Sequence, residues 1–180
     1  MVADGAAVDE TARVRIAIAS DHAGFALKAH LVGWLEQQGH SVADLGTSSE
    51  APVDYPPFCA AAARAVVAGD ADAGVVLGGS GQGEQIAANK VRGARAALCH
   101  DVWMARMARA HNDANVVSMG ARVVAPAMAE EILRVFLSTA FEGGRHVARV
   151  RQLAGIEDEE CGSGGVGPTG AGGGAAGPDA

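Results

Sequence analysis

Short apolar runs alternate along the chain with longer segments in which apolar residues recur at helical spacing. The apolar runs predict five strands, at about residues 14–20, 41–45, 74–77, 94–99 and 115–119. The intervening segments predict helices at about 25–38, up to 68, from 84, and at 102–109, 126–139 and 145–157. This alternation is typical of an α/β domain in which helices cover both faces of a mainly parallel sheet and the crossovers are right-handed.

The two ends of the chain differ from this pattern. Residues 1–12 show no periodicity, and residues 161–180 are mostly Gly, Ala and Pro. Such segments cannot bury enough apolar surface to offset the entropy that is lost on ordering. We therefore expect one domain over residues 13–158 and disordered segments at 1–12 and 159–180. We also expect the tail after Glu160 to be dispensable for fold and activity.

The composition predicts one domain with a small-molecule partner. Of the 180 residues, 49 % are hydrophobic but only 4 % are aromatic, which predicts an aliphatic, Ala-rich core. A net charge of −7 argues against nucleic acid and acidic membrane surfaces as partners. No apolar segment has the length of a membrane span, and acidic residues occur early in the chain. We therefore expect a cytoplasmic protein that does not bind a membrane.

The cysteines predict free thiols. Cys59, Cys99 and Cys161 are odd in number and far apart, and no C-x-x-C or zinc-finger spacing is present. Neither a disulfide framework nor a structural metal site is expected from this pattern. Packing is the favoured role of Cys59, in an Ala-rich run, and of Cys99, at the end of a strand.

Four glycines follow the third predicted strand, and a carboxylate comes directly after them. Gly78, Gly79, Gly81 and Gly83 can take positive φ angles, so successive N–H groups can converge beside the start of a helix, where Glu84 lies. The spacing fits neither G-x-G-x-x-G nor a Walker loop. The pattern predicts a site for a phosphate or for an oxyanion formed in a reaction. A tight strand-to-helix turn without a ligand is the alternative.

Other polar groups follow the strands or lie on the later helices. Asp21 and His22 follow the first strand, where they form part of a site or serve as a helix cap and a turn residue. His111 is an acid or base near neutral pH, or a residue tolerated at a helix C-terminus. Arg145 and Arg149 are one helical turn apart, so they face one anion together or remain solvated surface charges. The carboxyl ends of parallel strands share one edge of a sheet, so we expect the groups after the strands to lie there.

Several motifs resemble those of the ribose-5-phosphate isomerase B family, whose superfamily also includes galactose-6-phosphate and allose-6-phosphate isomerases. The motifs are Ser20–Gly24, Asp54–Pro56, Gly79–Gly81 with Ile86–Lys90, His111–Asp113, Gly120–Val124 and Gly143–His146. The resemblance covers about residues 13–158. It implies a Rossmann-like three-layer α/β/α sandwich and an aldose–ketose isomerase without metal or organic cofactor. It also implies a homodimer in which each site draws residues from both subunits, and the sequence leaves a tetramer open.

The resemblance also implies a role for each matching residue. The phosphate would be held by His22, Arg122, Arg145 and Arg149. Ring opening would be assisted by Asp21 and His111, and the enediolate oxygen would be stabilised by Asn112 and the amides of Gly79, Gly81 and Gly83. Ser80 would move a proton between O1 and O2 of the sugar, and Tyr55 would line the sugar site.

The base that removes the C2 proton departs from the commonest family pattern. Many members place a catalytic Cys immediately before the Gly-Thr/Ser-Gly loop, where this chain has Gly78. Another branch has Glu just after the loop, and Glu84 fits that branch. Without a ligand, Glu84 would only occupy the first turn of a helix, where carboxylates are favoured. The direction of its pKa shift is open, because an apolar pocket raises a carboxyl pKa while a helix N-terminus and Arg lower it.

The expected function is the interconversion of ribose 5-phosphate and ribulose 5-phosphate in the pentose phosphate pathway, with Glu84 as the base. An isomerase of a hexose phosphate would use the same groups in a longer pocket. A non-catalytic module that binds a sugar phosphate or a nucleotide, and a structural oligomer, are the alternatives from other classes.

Overall fold

The computed structural model describes the backbone of residues 13–162 and the side chains of residues 13–160. Within this range the strands are β1 (Arg15–Ser20), β2 (Ser41–Asp44), β3 (Ala73–Gly78), β4 (Ala96–Leu98) and β5 (Val116–Gly120). The helices are α1 (Phe25–Gln37), α2 (Tyr55–Val67), α3 (Gln82–Ala88), α4 (Val102–Asn112), α5 (Pro126–Ser138) and α6 (Arg145–Gly162). The predicted alternation of strands and helices is confirmed. The predictions for residues 1–12 and 163–180 lie outside the described residues.

The strands form one sheet in the order β2-β1-β3-β5-β4, and each neighbouring pair is parallel. The chain passes from β1 to β2 on one side and then returns to place β3 on the other side of β1. The strand order therefore reverses between β1 and β3. In open α/β sheets a crevice forms at this point, outside the carboxyl ends of the strands.

Helices cover both faces of the sheet, and the two faces use different side chains. Ile16 and Ile18 of β1 pack in a core that includes leucines of α1 and residues of α4 and α5. Ala17 and Ala19, which point the other way, pack with alanines of α2 and α3. Side chains alternate between the faces of a strand, so one strand contributes to both cores. The predicted three-layer α/β/α architecture and the Ala-rich packing are confirmed.

Two helices end later than the sequence predicted. α4 extends beyond residue 109 to Asn112, because Asp113 is the residue that takes the left-handed conformation, at φ 46°, and ends the helix. α6 extends beyond residue 157, where the sequence predicted its end, to Gly162. Its Glu157 carboxylate accepts a hydrogen bond from the N–H of Gly93 at 3.0 Å, which fixes the helix to the turn before β4. None of the helices among residues 13–162 is both long enough and apolar enough to cross a membrane.

Candidate active site

A cavity of about 550 Å³ opens at the carboxyl ends of β1 and β3, where the strand order reverses. It is lined by Asp21, His22, Ala23, Tyr55, Gly79, Ser80, Gly83, Glu84, Arg122 and Val123. These residues come from the segments that follow β1, β3 and β5 and from the start of α2. The fold thus gathers into one cavity groups that the sequence analysis placed at separate strand ends.

Glu84 is buried in the first turn of α3, with only 4 % of its surface exposed. Its carboxylate lies directly above the Cα of Gly78, the last residue of β3. A Cβ atom at Gly78 would stand 1.8 Å from Oε1 and 2.2 Å from Cδ of Glu84. A side chain at position 78 and the present position of Glu84 are therefore mutually exclusive. Glu84 thus occupies the space in which a side chain at position 78, directly before the glycine loop, would lie.

The surroundings of Glu84 raise the pKa of its carboxyl group. Burial is the main cause, because it removes the carboxylate from water, and the negative charge of Asp21 adds to the effect. The backbone N–H groups of Glu84 and Gly81 act in the opposite direction, since they face the carboxylate and favour its charged form. The net effect is a raised pKa for Glu84, a direction that the sequence did not determine. A carboxylate with a raised pKa is a stronger base than one in water.

Close contacts hold the glycine loop at Gly81 and at Gly83. Gly81 has a φ of +80°, and a Cβ there would stand 2.6 Å from Cδ1 of Leu98. The ring of Tyr55 packs on Gly83, where a Cβ would stand 2.6 Å from Cζ. The hydroxyl of Ser118 donates a hydrogen bond of 2.7 Å to the carbonyl of Gly81. Packing therefore holds the loop at Gly81 and Gly83, and a hydrogen bond holds the Gly81 carbonyl.

Asp21, His22 and Arg122 line the other side of the cavity. Oδ1 of Asp21 accepts a hydrogen bond of 2.9 Å from the N–H of Gly24, so Asp21 stabilises the turn into α1 as well as facing Glu84. Nδ1 of His22 lies 3.3 Å from the backbone nitrogen of Val53. The Arg122 side chain passes over the glycine loop. Arg122 therefore places positive charge at the mouth of the cavity, as anion binding requires.

Five predicted site residues do not line this cavity. Gly81 is buried within the glycine loop, and its N–H faces the Glu84 carboxylate rather than the open cavity. His111 and Asn112 lie at the end of α4, and Arg145 and Arg149 lie in the first turns of α6. The cavity formed by one chain therefore holds only part of the predicted site.

His111 forms a cluster with His146 and Glu142. The imidazole rings of His111 and His146 are stacked, with centroids 4.1 Å apart and planes 9° from parallel. Their Nε2 atoms lie 3.6 Å and 3.9 Å from Oε2 of Glu142. Burial, His111 and the Arg145 and Arg149 guanidinium groups lower the pKa of His146. The three possible ligand atoms lie within 4.8 Å of one another, but parallel rings do not direct two nitrogen lone pairs at one ion.

Asn112 lines a second, apolar groove of about 620 Å³ beside the edge strand β4. Trp103, Met107 and Leu153 also line this groove. Trp103 exposes 67 % of its surface and Leu153 exposes 49 %. Large side chains exposed together along a groove are typical of a protein interface.

The cysteines near the sheet do not supply a base. Cys59 and Cys99 are buried free thiols, as expected. Burial raises the pKa of each to about 12, and the charges of Glu84 and Asp21 contribute for Cys59. Both are therefore neutral thiols at physiological pH. The proximity of Cys59 to Glu84 could not be predicted, because Cys59 lies on α2, Glu84 lies on α3, and no sequence pattern links the two helices. The role of Ser118 was not predicted either, since its only sequence sign is a polar residue within an apolar strand.

A buried carboxylate, a glycine loop and the Arg122 guanidinium around one cavity are the features of an enzyme site for a small anionic substrate. The chain belongs to the ribose/galactose isomerase family, whose model matches residues 16–153.

Sequence similarity to individual named proteins supports this family membership. Ribose-5-phosphate isomerase B of Escherichia coli is 42 % identical over 79 % of this chain and 96 % of that protein. The protein of the same name from Mycolicibacterium paratuberculosis is 47 % identical over 80 % of this chain and 92 % of that protein.

Solved structures give the same result for the fold. Ribose-5-phosphate isomerase B of Clostridium thermocellum has a TM-score of 0.80 and 46 % identity, and covers 81 % of this chain and 98 % of its own. The structure of the Mycoplasma genitalium protein with bound ribulose 5-phosphate has a TM-score of 0.77 and 39 % identity, covering 81 % and 97 %. These similarities confirm the predicted family and fold class.

Proposed function

We propose that this protein is a ribose-5-phosphate isomerase, an aldose–ketose isomerase that interconverts D-ribose 5-phosphate and D-ribulose 5-phosphate. The observation that carries the proposal is the buried Glu84 carboxylate, which lies against the cavity in the space above Gly78. The relatives from E. coli and M. paratuberculosis bear the name of this activity. The reaction belongs to the pentose phosphate pathway of carbohydrate metabolism, and we place the protein in the cytoplasm.

Glu84 acts as the base in this reaction. Its carboxylate takes the proton from C2 of the open-chain aldose, a C1–C2 double bond forms, and the electrons of the carbonyl move onto O1. Ser80, which is exposed in the cavity, passes a proton between O2 and O1. The carbonyl then forms at C2, and Glu84 returns its proton to C1. General base catalysis and stabilisation of the developing oxyanion each supply a factor of about 10² or more in rate.

The residues around Glu84 bind the substrate and prepare it for this step. His22 and Arg122 bind the phosphate from one side of the cavity, and Tyr55 contacts the sugar. The amides of Gly79 and Gly83 and the side chain of Asn112 donate to the enediolate oxygen. Asp21 assists ring opening together with His111.

A second copy of the chain completes the site. His111, Asn112, Arg145 and Arg149 lie outside the cavity of their own chain, yet the reaction requires groups of these kinds. Asn112 lies in the apolar groove with the exposed Trp103. A homodimer formed across this groove buries the exposed apolar side chains and brings the end of α4 and the start of α6 to the partner's cavity.

Substrate selectivity tests the proposal. Turnover of ribose 5-phosphate, allose 6-phosphate and galactose 6-phosphate is to be measured side by side on metal-free protein. We expect the highest kcat/KM with ribose 5-phosphate. Preference for a hexose phosphate would contradict the proposed substrate but keep the chemistry, and binding of sugar phosphates without turnover would contradict the enzymatic role.

A further inference from the structure

His100 lies just after β4 and contacts the glycine loop. Its Nε2 atom is 3.2 Å from the carbonyl oxygen of Ser80. A carbonyl oxygen only accepts hydrogen bonds, so Nε2 carries the proton and donates it. Among residues 13–160, no other group donates a hydrogen bond to this carbonyl.

The peptide between Ser80 and Gly81 connects this contact to the base. The peptide is trans, so its N–H points away from its carbonyl. The carbonyl faces His100, and the Gly81 N–H faces the Glu84 carboxylate. One rigid planar unit therefore has His100 at one end and Glu84 at the other.

Packing alone does not fix the orientation of the plane of the Ser80–Gly81 peptide. Ser80 lies directly on Gly120, where a Cβ would stand 2.6 Å from the Ser80 carbonyl carbon and oxygen. This contact limits how closely the peptide approaches Gly120 at the end of β5. The peptide plane can still rotate, because the residue that follows it, Gly81, has a flexible backbone. The Ser118 hydroxyl holds the next peptide, at the Gly81 carbonyl. The hydrogen bond from His100 is the contact that sets the direction of the Ser80 carbonyl and hence of the Gly81 N–H.

We propose that His100 is a positioning residue for the catalytic base: it orients the Ser80–Gly81 peptide so that the Gly81 N–H stays directed at the Glu84 carboxylate. This inference rests on the proposed function of Glu84. The titratable groups around Glu84 are Asp21, His22, Tyr55, Cys59 and Arg122, and Asp101 follows His100 directly. None of these is linked to Glu84 through the 80–81 peptide, so the effect of His100 is separable from theirs.

Loss of the hydrogen bond has two consequences for Glu84. The carboxylate loses a donor that favours its charged form, so its pKa rises further above the ordinary value. The carboxylate also loses a constraint on its direction toward the substrate. The first effect moves the acidic limb of the pH profile of kcat/KM to higher pH, and the second lowers kcat.

Three substitutions test the proposal. His100→Leu removes the donor, His100→Gln places an amide N–H near the position of Nε2, and His100→Asn carries the same amide on a side chain that is too short. We expect kcat of His100→Leu and His100→Asn to fall about tenfold with little change in KM, and His100→Gln to recover most of the loss. The acidic limb shifts upward in the first two variants only. An unchanged kcat and pH profile in folded His100→Leu would overturn the proposal, as would an equal loss in all three variants.

A measurement independent of turnover separates this inference from the proposed function. The carboxyl carbon of Glu84 can be followed by NMR in protein labelled with ¹³C at Glu side chains, with Glu84→Gln to assign its signal. We expect the Glu84 titration midpoint to lie at higher pH in His100→Leu than in wild type, whether or not the protein isomerises ribose 5-phosphate. Identical midpoints would overturn the role of His100 even if the protein proves to be an isomerase.

Discussion

The Glu84 carboxylate occupies the space in which a side chain at position 78 would lie, because a Cβ at Gly78 would stand 1.8 Å from Oε1 of Glu84. The last residue of β3 and the first turn of α3 therefore compete for one place beside the cavity. Glycine at position 78 allows the base to come from the helix. The proposed base can take this position only because residue 78 is glycine and has no Cβ atom.

Gly78→Ala should displace the Glu84 side chain. We expect kcat for ribose 5-phosphate to fall about 10²-fold with a much smaller change in KM, because a displacement of about 1 Å misaligns the base. Steady-state kinetics measure this effect. Gly33→Ala is the matched control, since a Cβ at Gly33 has no neighbour within 4 Å. Normal kcat in Gly78→Ala would show that Glu84 can act from another position.

The raised pKa of Glu84 predicts a pH-dependent cost in stability. The folded protein binds this proton more tightly than the unfolded chain, so stability falls as pH rises from the ordinary Glu value of 4.5 through the folded value. Glu84→Gln cannot lose a proton and avoids this cost. We expect its Tm to exceed that of wild type by roughly 2–4 °C at pH 7. The difference should shrink toward pH 4. A Tm difference that does not change with pH would contradict the raised pKa.

A site shared between two chains predicts complementation. We expect Glu84→Gln and His111→Ala each to inactivate the proposed homodimer, whereas a mixed dimer would have one site with both native residues and one with neither. Mixed dimers purified through two different tags should regain about half of the wild-type turnover per chain. If each site were built from a single chain, the mixed dimer would stay inactive, and the proposed assembly would be wrong.

Arg149 is expected to bind the substrate phosphate in the assembled site. Arg149→Ala should raise KM for ribose 5-phosphate about tenfold and reduce kcat less, because the phosphate keeps the same contacts before and after proton transfer. Arg151→Ala on the same exposed helix is the control for a general loss of positive charge. Equal effects of the two substitutions on KM would remove Arg149 from the proposed site.

Much of the fold could be predicted because each element has its own periodic pattern. Strand and helix order and the gathering of polar groups at one sheet edge follow from local patterns and general rules. The later end of α4 was not predicted, because any of several polar residues could have ended the helix. Asp113 ends it, so His111 and Asn112 lie within the last turn.

The site could be predicted only in part, because its remaining features depend on distant contacts. The direction of the Glu84 pKa shift depends on the burial of Glu84 and on the nearby charge of Asp21. Asp21 follows β1 and Glu84 follows β3, so no local pattern shows that the two residues are close. His111 of α4 stacks on His146 of α6, and no periodic pattern in the sequence indicates that these two helices are in contact. The sequence also does not show which predicted residues share a cavity within one chain. The fold determines that division, since α4 and α6 place their polar groups away from β1 and β3.

The most direct test is turnover of ribose 5-phosphate by metal-free wild-type protein and Glu84→Gln, with binding of the same substrate measured on both. We expect rapid isomerisation by wild type, a loss of about 10³-fold or more in kcat for Glu84→Gln, and nearly unchanged binding. Cys99→Ser serves as the control and should remain close to wild type, because its thiol is buried and neutral. Near-normal kcat in Glu84→Gln together with loss of activity in Cys99→Ser would contradict Glu84 as the base.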